Sequence, residues 1–183
     1  MVAKDDYITV LDFLPRGKPS DRRAEPVAQG VGDKFFNLLE VAIKEGLSIK
    51  TKQRIYIGSD KREEVAYIRE RITYSGLTSY AKEMLEEVVT ESINADEKRF
   101  VDIFNKAGSV TTRMHSLELL PGIGKKHLFA ILAERRKKPF ENFIDLHARV
   151  PMMSDAKKMI VKRIIEELQE KDRHRLFVAA DIV

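Results

Sequence analysis

A repeat of 14 residues, which recurs 30 positions later, constrains the fold of this chain more than any other feature. Residues 119–132, LLPGIGKKHLFAIL, align with residues 149–162, RVPMMSDAKKMIVK, and bring Pro121 opposite Pro151. The matching apolar pairs are Ile123 and Met153, Phe129 and Met159, Ala130 and Ile160, and Ile131 and Val161. A proline-containing turn followed by an apolar helical period predicts two units of helix, tight turn and helix. We expect the linker between them to supply shared core through Phe140, Phe143, Ile144 and Leu146.

The turns of the two units differ in chemistry. Residues 122–124 read GIG in the first unit, whereas residues 152–154 read MMS in the second. Glycine leaves no side chain between the backbone and a ligand, so Gly-x-Gly at a helix start offers bare N–H groups to an anion. Lys125 and Lys126 add positive charge although lysines in a first turn oppose the helix dipole. In the second unit Ser154 is the expected N-cap, so that unit is expected to support the first.

The two glycines allow one other interpretation that stays open and one that is disfavoured. Gly-x-Gly also suits a helix C-cap with a tight turn, a purely structural role. A dinucleotide-binding G-x-G-x-x-G motif is disfavoured because His127 stands where the third glycine belongs, and no G-x-x-x-x-G-K-[ST] sequence exists in the chain. Phosphate binding is the interpretation that also accounts for the neighbouring lysines.

Charge collects in the same part of the chain. Residues 1–108 carry a net charge of −1 and residues 109–183 a net charge of +5, and residues 111–163 hold 12 Lys and Arg against 5 Asp and Glu. Such a concentration is typical of polyanion binders, although a solvated surface looks similar. The main candidate binding residues are Gly122, Ile123, Gly124, Lys125, Lys126, Arg135, Arg136, Lys137 and Lys138. Weaker candidates are Arg22, Arg23, Lys157, Lys158, Lys162 and Arg163.

The N-terminal third of the chain predicts β structure. Residues 7–14 and 54–58 are short segments that are rich in β-branched and aromatic residues and bounded by Pro, Gly or charge. Residues 25–32 offer another short strand that ends in glycines. Residues 35–46 fit either a helix or a strand by period. Four or five short strands within 60 residues suggest a small barrel or a strongly curved sheet. The loop at 15–26, which carries Arg22 and Arg23, suits a nucleic-acid-binding tip or a solvated hairpin tip.

Helical periodicity begins at residue 61. Val65, Ile68 and Ile72 form a short apolar stripe, and the segments 77–93 and 96–107 follow as amphipathic helices. Thr78 and Ser79 are candidate N-caps of the first of these helices. We therefore predict an α+β chain with a β-barrel-like domain at 1–60, a helical connector at 61–108 and an all-α domain at 109–183.

The C-terminal part resembles a known DNA-binding module. LPGIGKK with its following helix, then PFENFIDLHARVP, is similar to the helix-hairpin-helix motif over roughly residues 111–170. The resemblance implies a tandem domain whose second hairpin is degenerate and whose first hairpin grips phosphates of duplex DNA through backbone N–H groups, without reading bases. It also implies a monovalent cation at hairpin carbonyls; no other cofactor is expected.

The whole chain resembles an archaeal family, the domain of unknown function family 655. The segments YITVLDFLP, RIYIG and TTRMHSLELLPGIGKK carry the likeness. It implies an N-terminal domain with partial similarity to an OB fold ahead of the helix-hairpin-helix domain, and it favours a strand at 35–46. The family supplies no activity.

Several function classes find no support in the residues. The chain has no cysteine, which excludes disulfides and thiolate chemistry. His115, His127, His147 and His174 lack metal-ligand spacing, and no carboxylate pair marks a nuclease site. We expect a cytoplasmic, non-enzymatic protein that binds nucleic acid, with duplex DNA as its partner and no membrane contact. The alternatives are an RNA-binding protein or a protein-interaction or dimerisation module that uses Met152, Met153 and Met159.

Overall fold

The structure, a computed structural model, describes residues 4–179 and is of the α+β class. A curled five-stranded antiparallel sheet, a half-barrel, precedes five α-helices within these residues. The strands are β1 (Tyr7–Leu14), β2 (Val27–Gly32), β3 (Leu38–Ile43), β4 (Arg54–Tyr56) and β5 (Val65–Arg71). The helices are α1 (Ser79–Ala95), α2 (Glu97–Lys106), α3 (Lys125–Lys137), α4 (Phe143–Arg149) and α5 (Ala156–Leu168). None of these helices combines the length and the apolar character that a bilayer crossing requires.

The described chain divides into two compact units. Unit 1 contains the described residues up to Val88, together with Glu167–Lys171 and residues 177–179. Unit 2 contains Val89–Glu166 and Asp172–Leu176. The division of the chain at residues 60 and 108 stays a prediction.

The sheet of unit 1 has the strand order β4-β1-β2-β3-β5. Every residue of β2 is buried, as expected for the central strand of a curled sheet. The hydrophobic core formed by the sheet strands is aliphatic and includes Ile8, Val10, Val41, Ile43 and Ile55. The strands predicted at 7–14, 25–32 and 54–58 are confirmed, since short β-branched segments between turn residues favour strands.

The segment at 35–46 contains β3, which confirms the strand that the family resemblance favours. The prediction of a helix from the spacing of Val65, Ile68 and Ile72 is wrong, because β5 begins at Val65 and pairs antiparallel with β3. Residue 68 faces Val41, residue 67 faces Ala42 and residue 65 faces Ile43, so the strand contains an extra residue. Because of this bulge, Val65 and Ile68 lie three positions apart in the strand, and this spacing imitates that of a helix.

The loop at 15–26 is held against the sheet by ion pairs. Arg69 on β5 donates two hydrogen bonds to Asp21, of 3.0 and 3.2 Å, and lowers the pKa of that carboxyl to about 2. Lys18 lies 2.8 Å from the buried Glu40 on β3. Arg69 also lies 3.6 Å from Glu25, so the exposed Arg22 and Arg23 stand between two points of the loop that contact this arginine.

The amphipathic helices predicted at 77–93 and 96–107 are confirmed as α1 and α2. The hydroxyl of Thr78 accepts a 3.0 Å hydrogen bond from the N–H of Ala81, so Thr78 is the N-terminal cap of α1. In α2, Phe100 and Phe104 are buried and lie four residues apart on one face. Apolar period and capping therefore predict both elements correctly.

In unit 2 the two repeats share some positions and differ at others. Ile123 and Met153 are both buried, and so are Ile131 and Val161. Phe129 is 65% exposed whereas its counterpart Met159 is buried, so this match predicted from the alignment is wrong. The linker residues Phe140, Phe143 and Leu146 are buried as expected, but Ile144 is 80% exposed because α4 turns that position away from the core. Ahead of α3 the first repeat has only a 3-10 turn, Ser116–Leu119.

Candidate nucleic-acid interface

The turn before α3 is closed by its own backbone. The N–H of Ile123 donates to the carbonyl of Leu120 at 3.1 Å, and the Ile123 side chain is buried. Gly122 has φ +95°, a conformation that side chains disfavour, and a Cβ there would lie 3.2 Å from Cε of Met159. The first glycine therefore has a structural reason, because both the backbone angle and the packing require it.

Gly124 has no such reason. Its φ of −97° and ψ of −178° are extended values that any residue adopts, and a Cβ built there meets no atom within 4 Å. Gly124 is the residue that precedes α3, and it supplies no side-chain cap. The second glycine leaves the backbone bare at an N-cap position where neither the backbone angles nor the packing require it.

The start of α3 has open amides. The first backbone hydrogen bond into the helix runs from the N–H of Leu128 to the carbonyl of Gly124, at 2.9 Å. The preceding N–H groups lack an intrahelical acceptor, as at every helix start, and no side chain caps them within residues 4–179. The first turn of α3 contains no acidic residue. Partial positive charge therefore accumulates at this end of the helix.

Of the two lysines at this helix start, one is paired. Lys125 lies 2.8 Å from Glu118, and its ammonium also donates to the carbonyl of Arg113 at 3.3 Å. The hydrogen bond from Lys125 and a second from the N–H of His115 lower the pKa of Glu118. Lys126 is exposed, and its ammonium has no ion pair or hydrogen bond in the described part of the chain. The free cation at the turn is therefore Lys126.

His115 shapes the turn from inside. Its Nδ1 accepts a hydrogen bond from the N–H of Leu117 at 3.2 Å, and Glu118 bonds back to the N–H of His115, which together make a capping box. Burial, and then the charge of Arg135, lower the pKa of His115. The other histidine near the turn, His127, lies 3.2 Å from the carbonyl of Met152 through Nε2. His115 thus holds the turn before α3, whereas His127 contacts the turn before α5. Residues 4–179 contain no cluster of side chains suited to hold a metal ion.

The four basic residues at the end of α3 do not form one patch. Arg135 donates to the carbonyls of Phe104 and Ala107 at 3.1 and 2.9 Å and so caps α2. Lys137 pairs with Glu134 and Lys138 pairs with Glu141. Arg136 is exposed, with no ion pair or hydrogen bond within the described residues. Of this group, Arg136 is the cation that remains open to a ligand.

The amides at the start of α5 are hydrogen-bonded by side chains, whereas those at the start of α3 are open. The carboxylate of Asp155 accepts hydrogen bonds from the N–H groups of Lys157 and Lys158, at 2.9 and 3.2 Å. Nε2 of His147 accepts from the N–H of Ala156 at 3.2 Å. Ser154 as the N-cap is wrong, because α5 begins at Ala156 and the residue directly before it is the one that can cap it. The amides of α5 are therefore satisfied by the protein itself.

The weaker candidates on α5 divide in the same way. Lys158 and Lys162 are exposed, whereas Lys157 donates to Asn94 at 2.9 Å. Arg163 is only 3% exposed and binds Asp172 at 3.2 Å, as well as the carbonyl of His174. The placement of Arg163 on a polar helix face is wrong, because this arginine fixes the segment after α5.

Two residues that matter here were not identified from the sequence, and a third was misplaced. Glu118 precedes the turn and pairs with Lys125, and its place three residues after His115 is the spacing of a capping box. Arg149 donates to the carbonyls of Glu134 and Lys138 and closes the end of α3, which no local pattern indicates. The exposure of Phe129 was detectable, because Leu128 and Ile131 already define the buried face of α3.

The comparisons with known proteins agree with one another. A family model described as a protein of unknown function, DUF655, matches residues 4–179. An uncharacterised protein of Methanocaldococcus jannaschii is 42% identical over 176 residues, which cover 95% of this chain and 80% of that protein. A crystal structure of a chain from Archaeoglobus fulgidus, assigned to the same family model, is 47% identical with a TM-score of 0.87 and covers 96% of this chain and 100% of its own. Both relatives come from archaea.

Proposed function

The chain belongs to the DUF655 family, and on that premise we propose that it is a non-catalytic protein that binds nucleic acid through the turn before α3. The N–H of Ile123 is already bonded to Leu120, so the open amides directly after Gly124 would hold the phosphate. Lys126, in the same first turn, would add a cation that has no partner among residues 4–179. DNA is the proposed partner and the contact is independent of base sequence. A cytoplasmic location belongs to the same proposal.

The conformation of Gly124 is the observation that carries this proposal. Its backbone angles suit any residue and a Cβ would meet only open space, so neither strain nor packing requires a glycine there, and Ser, Asp or Asn would be the stronger N-cap. A ligand that approaches the backbone closely does account for it, because even a methyl group would stand between the ligand and the amides. A purely structural turn requires Gly122 but does not require Gly124.

The contrast between the two turns supports the same reading. At α5 the protein fills the helix start with its own carboxylate, that of Asp155. At α3 the corresponding position is Lys125, and the first turn contains no acidic residue at all. A second lysine there, Lys126, carries no partner among the described residues. An arrangement that is unfavourable for the free helix becomes favourable once an anion sits on the amides.

The finer fold assignments form part of the proposal. We propose that unit 2 contains a tandem helix-hairpin-helix domain with a degenerate second hairpin, and that the sheet of unit 1 is OB-like. The strand order β4-β1-β2-β3-β5 supports an open five-stranded barrel, and the buried pairs Ile123 with Met153 and Ile131 with Val161 support the repeat.

A protein-interaction module is the alternative that has an observation of its own. Ile144 on α4 is 80% exposed and Met152, just before α5, is 53% exposed. Exposed methionines suit adaptable contact surfaces. These two side chains would contribute to association that does not depend on salt, whereas phosphate binding weakens steeply with salt.

The test measures binding of fluorescein-labelled oligonucleotides by anisotropy, with duplex DNA, single-stranded DNA and RNA of one length, at several salt concentrations. Lys126→Glu is the test variant because Lys126 is exposed and unpaired among residues 4–179. Lys98→Glu on α2 is the matched control, since it changes an exposed lysine of the same unit by the same charge. Lys125 is left intact because a glutamate there would repel Glu118.

We expect wild type to bind, with a log–log salt slope of about −3.6 for roughly four phosphate contacts. Lys126→Glu should lose most of the affinity while Lys98→Glu keeps it. Stronger binding of RNA than of DNA would keep the turn as the proposed binding site and make RNA the partner. Absence of binding by the folded wild type at low salt, or equal losses in both variants, would overturn the proposal and favour the interaction module.

A further inference from the structure

Helix α3 carries an exposed stripe formed by Lys126, Phe129, Ala133 and Arg136. These four residues are three, four and three positions apart, so they lie on one helix face, and all four are exposed. The ends of this α3 stripe lie ten positions apart, which corresponds to about 15 Å along the helix axis. The stripe starts at the turn with the open amides.

Phe129 is the unusual member of the α3 stripe. Its side chain is 65% exposed, whereas the neighbouring Leu128 and Ile131 are buried and supply the core contacts of the helix. A phenylalanine in that position gains little from folding, because most of its apolar surface stays in water. The core of unit 2 therefore gives no account of an aromatic ring at residue 129.

The charges of the stripe point to the kind of molecule that covers the ring. Lys126 and Arg136 flank Phe129, and neither has an ion pair or hydrogen bond in the described part of the chain. Lys125, Lys137 and Lys138, off the stripe, are all paired with carboxylates. An exposed ring between two free cations suits a partner that alternates flat apolar surfaces with negative charges, and a nucleic-acid strand has this pattern.

We propose that the α3 stripe binds unpaired bases of a nucleic acid, with one base stacked on the ring of Phe129 and the flanking phosphates at Lys126 and Arg136. Ala133 leaves room beside the ring for a flat base. In an uninterrupted duplex every base already stacks on its neighbours, so the ring would find no free face. The preferred partner is thus single-stranded or partly unpaired. This inference rests on the proposed function, since it names the form of nucleic acid that the same turn holds.

A fluorescence experiment tests the stacking directly. The chain contains no tryptophan, so Phe129→Trp introduces a single indole at the stripe. Ile144→Trp is the matched control, because Ile144 is an equally apolar exposed residue of unit 2 that lies on α4, outside the stripe. The probes are a 20-nucleotide thymidine strand and a blunt 20-base-pair DNA duplex of mixed sequence. We expect the thymidine strand to quench and saturate the emission of Phe129→Trp, and to leave Ile144→Trp unchanged.

Affinity measurements by anisotropy complete the test. Phe129→Ala should weaken binding of the single strand by roughly 5- to 150-fold, the range for loss of one base–aromatic stack. It should change duplex binding less than about twofold, and Phe129→Tyr, which keeps a ring, should restore single-strand binding. Circular dichroism checks that each variant is folded, which is expected for an exposed position.

The outcomes separate this inference from the proposed function. If wild type binds DNA and Lys126→Glu loses binding while Phe129→Ala binds the single strand as wild type does, the stacking inference is overturned and the phosphate-binding turn stands. Equal losses of Phe129→Ala on single strand and duplex would also overturn the stacking. If wild type binds neither probe at low salt, both proposals fail together.

Discussion

Replacing Gly124 and Gly122 by valine, one at a time, separates binding from folding. At residue 124 the backbone is extended and a Cβ meets no atom within 4 Å, so valine adds no strain there. The stability lost with a poorer N-cap and that gained from a less flexible unfolded chain are each about 1 kcal/mol or less and oppose one another. At residue 122, φ is +95° and Cε of Met159 is 3.2 Å from the added Cβ, so valine costs about 2 kcal/mol or more.

These free energies translate into melting temperatures. For a chain of this length, 1 kcal/mol shifts the melting temperature by about 2–4 °C. Gly124→Val should therefore melt within about 4 °C of wild type, and Gly122→Val about 4–8 °C lower. Differential scanning fluorimetry at low salt, with unfolding in urea as a check, measures both shifts.

Gly124→Val, which should leave the melting temperature nearly unchanged, should nevertheless weaken the binding of DNA. Two methyl groups in front of the open amides of α3 remove a hydrogen bond to a phosphate, worth about 1.5–3 kcal/mol or roughly 10- to 150-fold in affinity. Lys158→Ala on α5 is the control, because Lys158 is exposed but next to amides that Asp155 already occupies. Anisotropy titrations with labelled DNA give the affinities. Equal losses in Gly124→Val and Lys158→Ala, or unfolding of Gly124→Val, would refute the reasoning.

Three further predictions concern side chains with assigned structural partners. Arg135→Leu should lower the free energy of unfolding by about 1–3 kcal/mol because the two carbonyls at the end of α2 lose their donor, whereas Arg136→Leu should change it by less than about 0.5 kcal/mol. Urea titrations measure both free energies, and similar losses would contradict the capping role of Arg135. The pKa of His115 in the folded state is below its unfolded value near 6.5, so the unfolded chain binds the proton first and stability falls as the pH drops through that value. His115→Asn should therefore reduce the difference between the urea midpoints at pH 7.5 and pH 5.5, and an unchanged difference would contradict this. Asp21 has a pKa of about 2 through its bonds from Arg69, so its contribution is present above pH 4 and is lost as the pH falls toward 2; Asp21→Asn should flatten the acid end of the stability curve, and a curve parallel to that of wild type would contradict this.

Local sequence patterns determine several elements of this protein. β1 and β4 follow from short β-branched segments between turn residues, and α1 follows from an apolar stripe behind the capping Thr78. The turn at residues 122–124 is also visible directly, since Gly-x-Gly before a helical period needs no knowledge of distant residues. Each of these features depends on residues that are close in sequence, and the sequence therefore specifies it without the rest of the fold.

The tertiary structure decides which side chains are available. Counting charges cannot distinguish Arg135, which caps α2, from the neighbouring Arg136, which is free among the described residues. The period of β5 is hidden because a bulge against β3 changes its spacing. The partners that matter come from other elements: carbonyls about 30 residues away for Arg135, and a strand about 25 residues away for β5. A cation is paired, and an apolar side chain is buried, only when such a partner lies beside it. Folding is what brings these groups together.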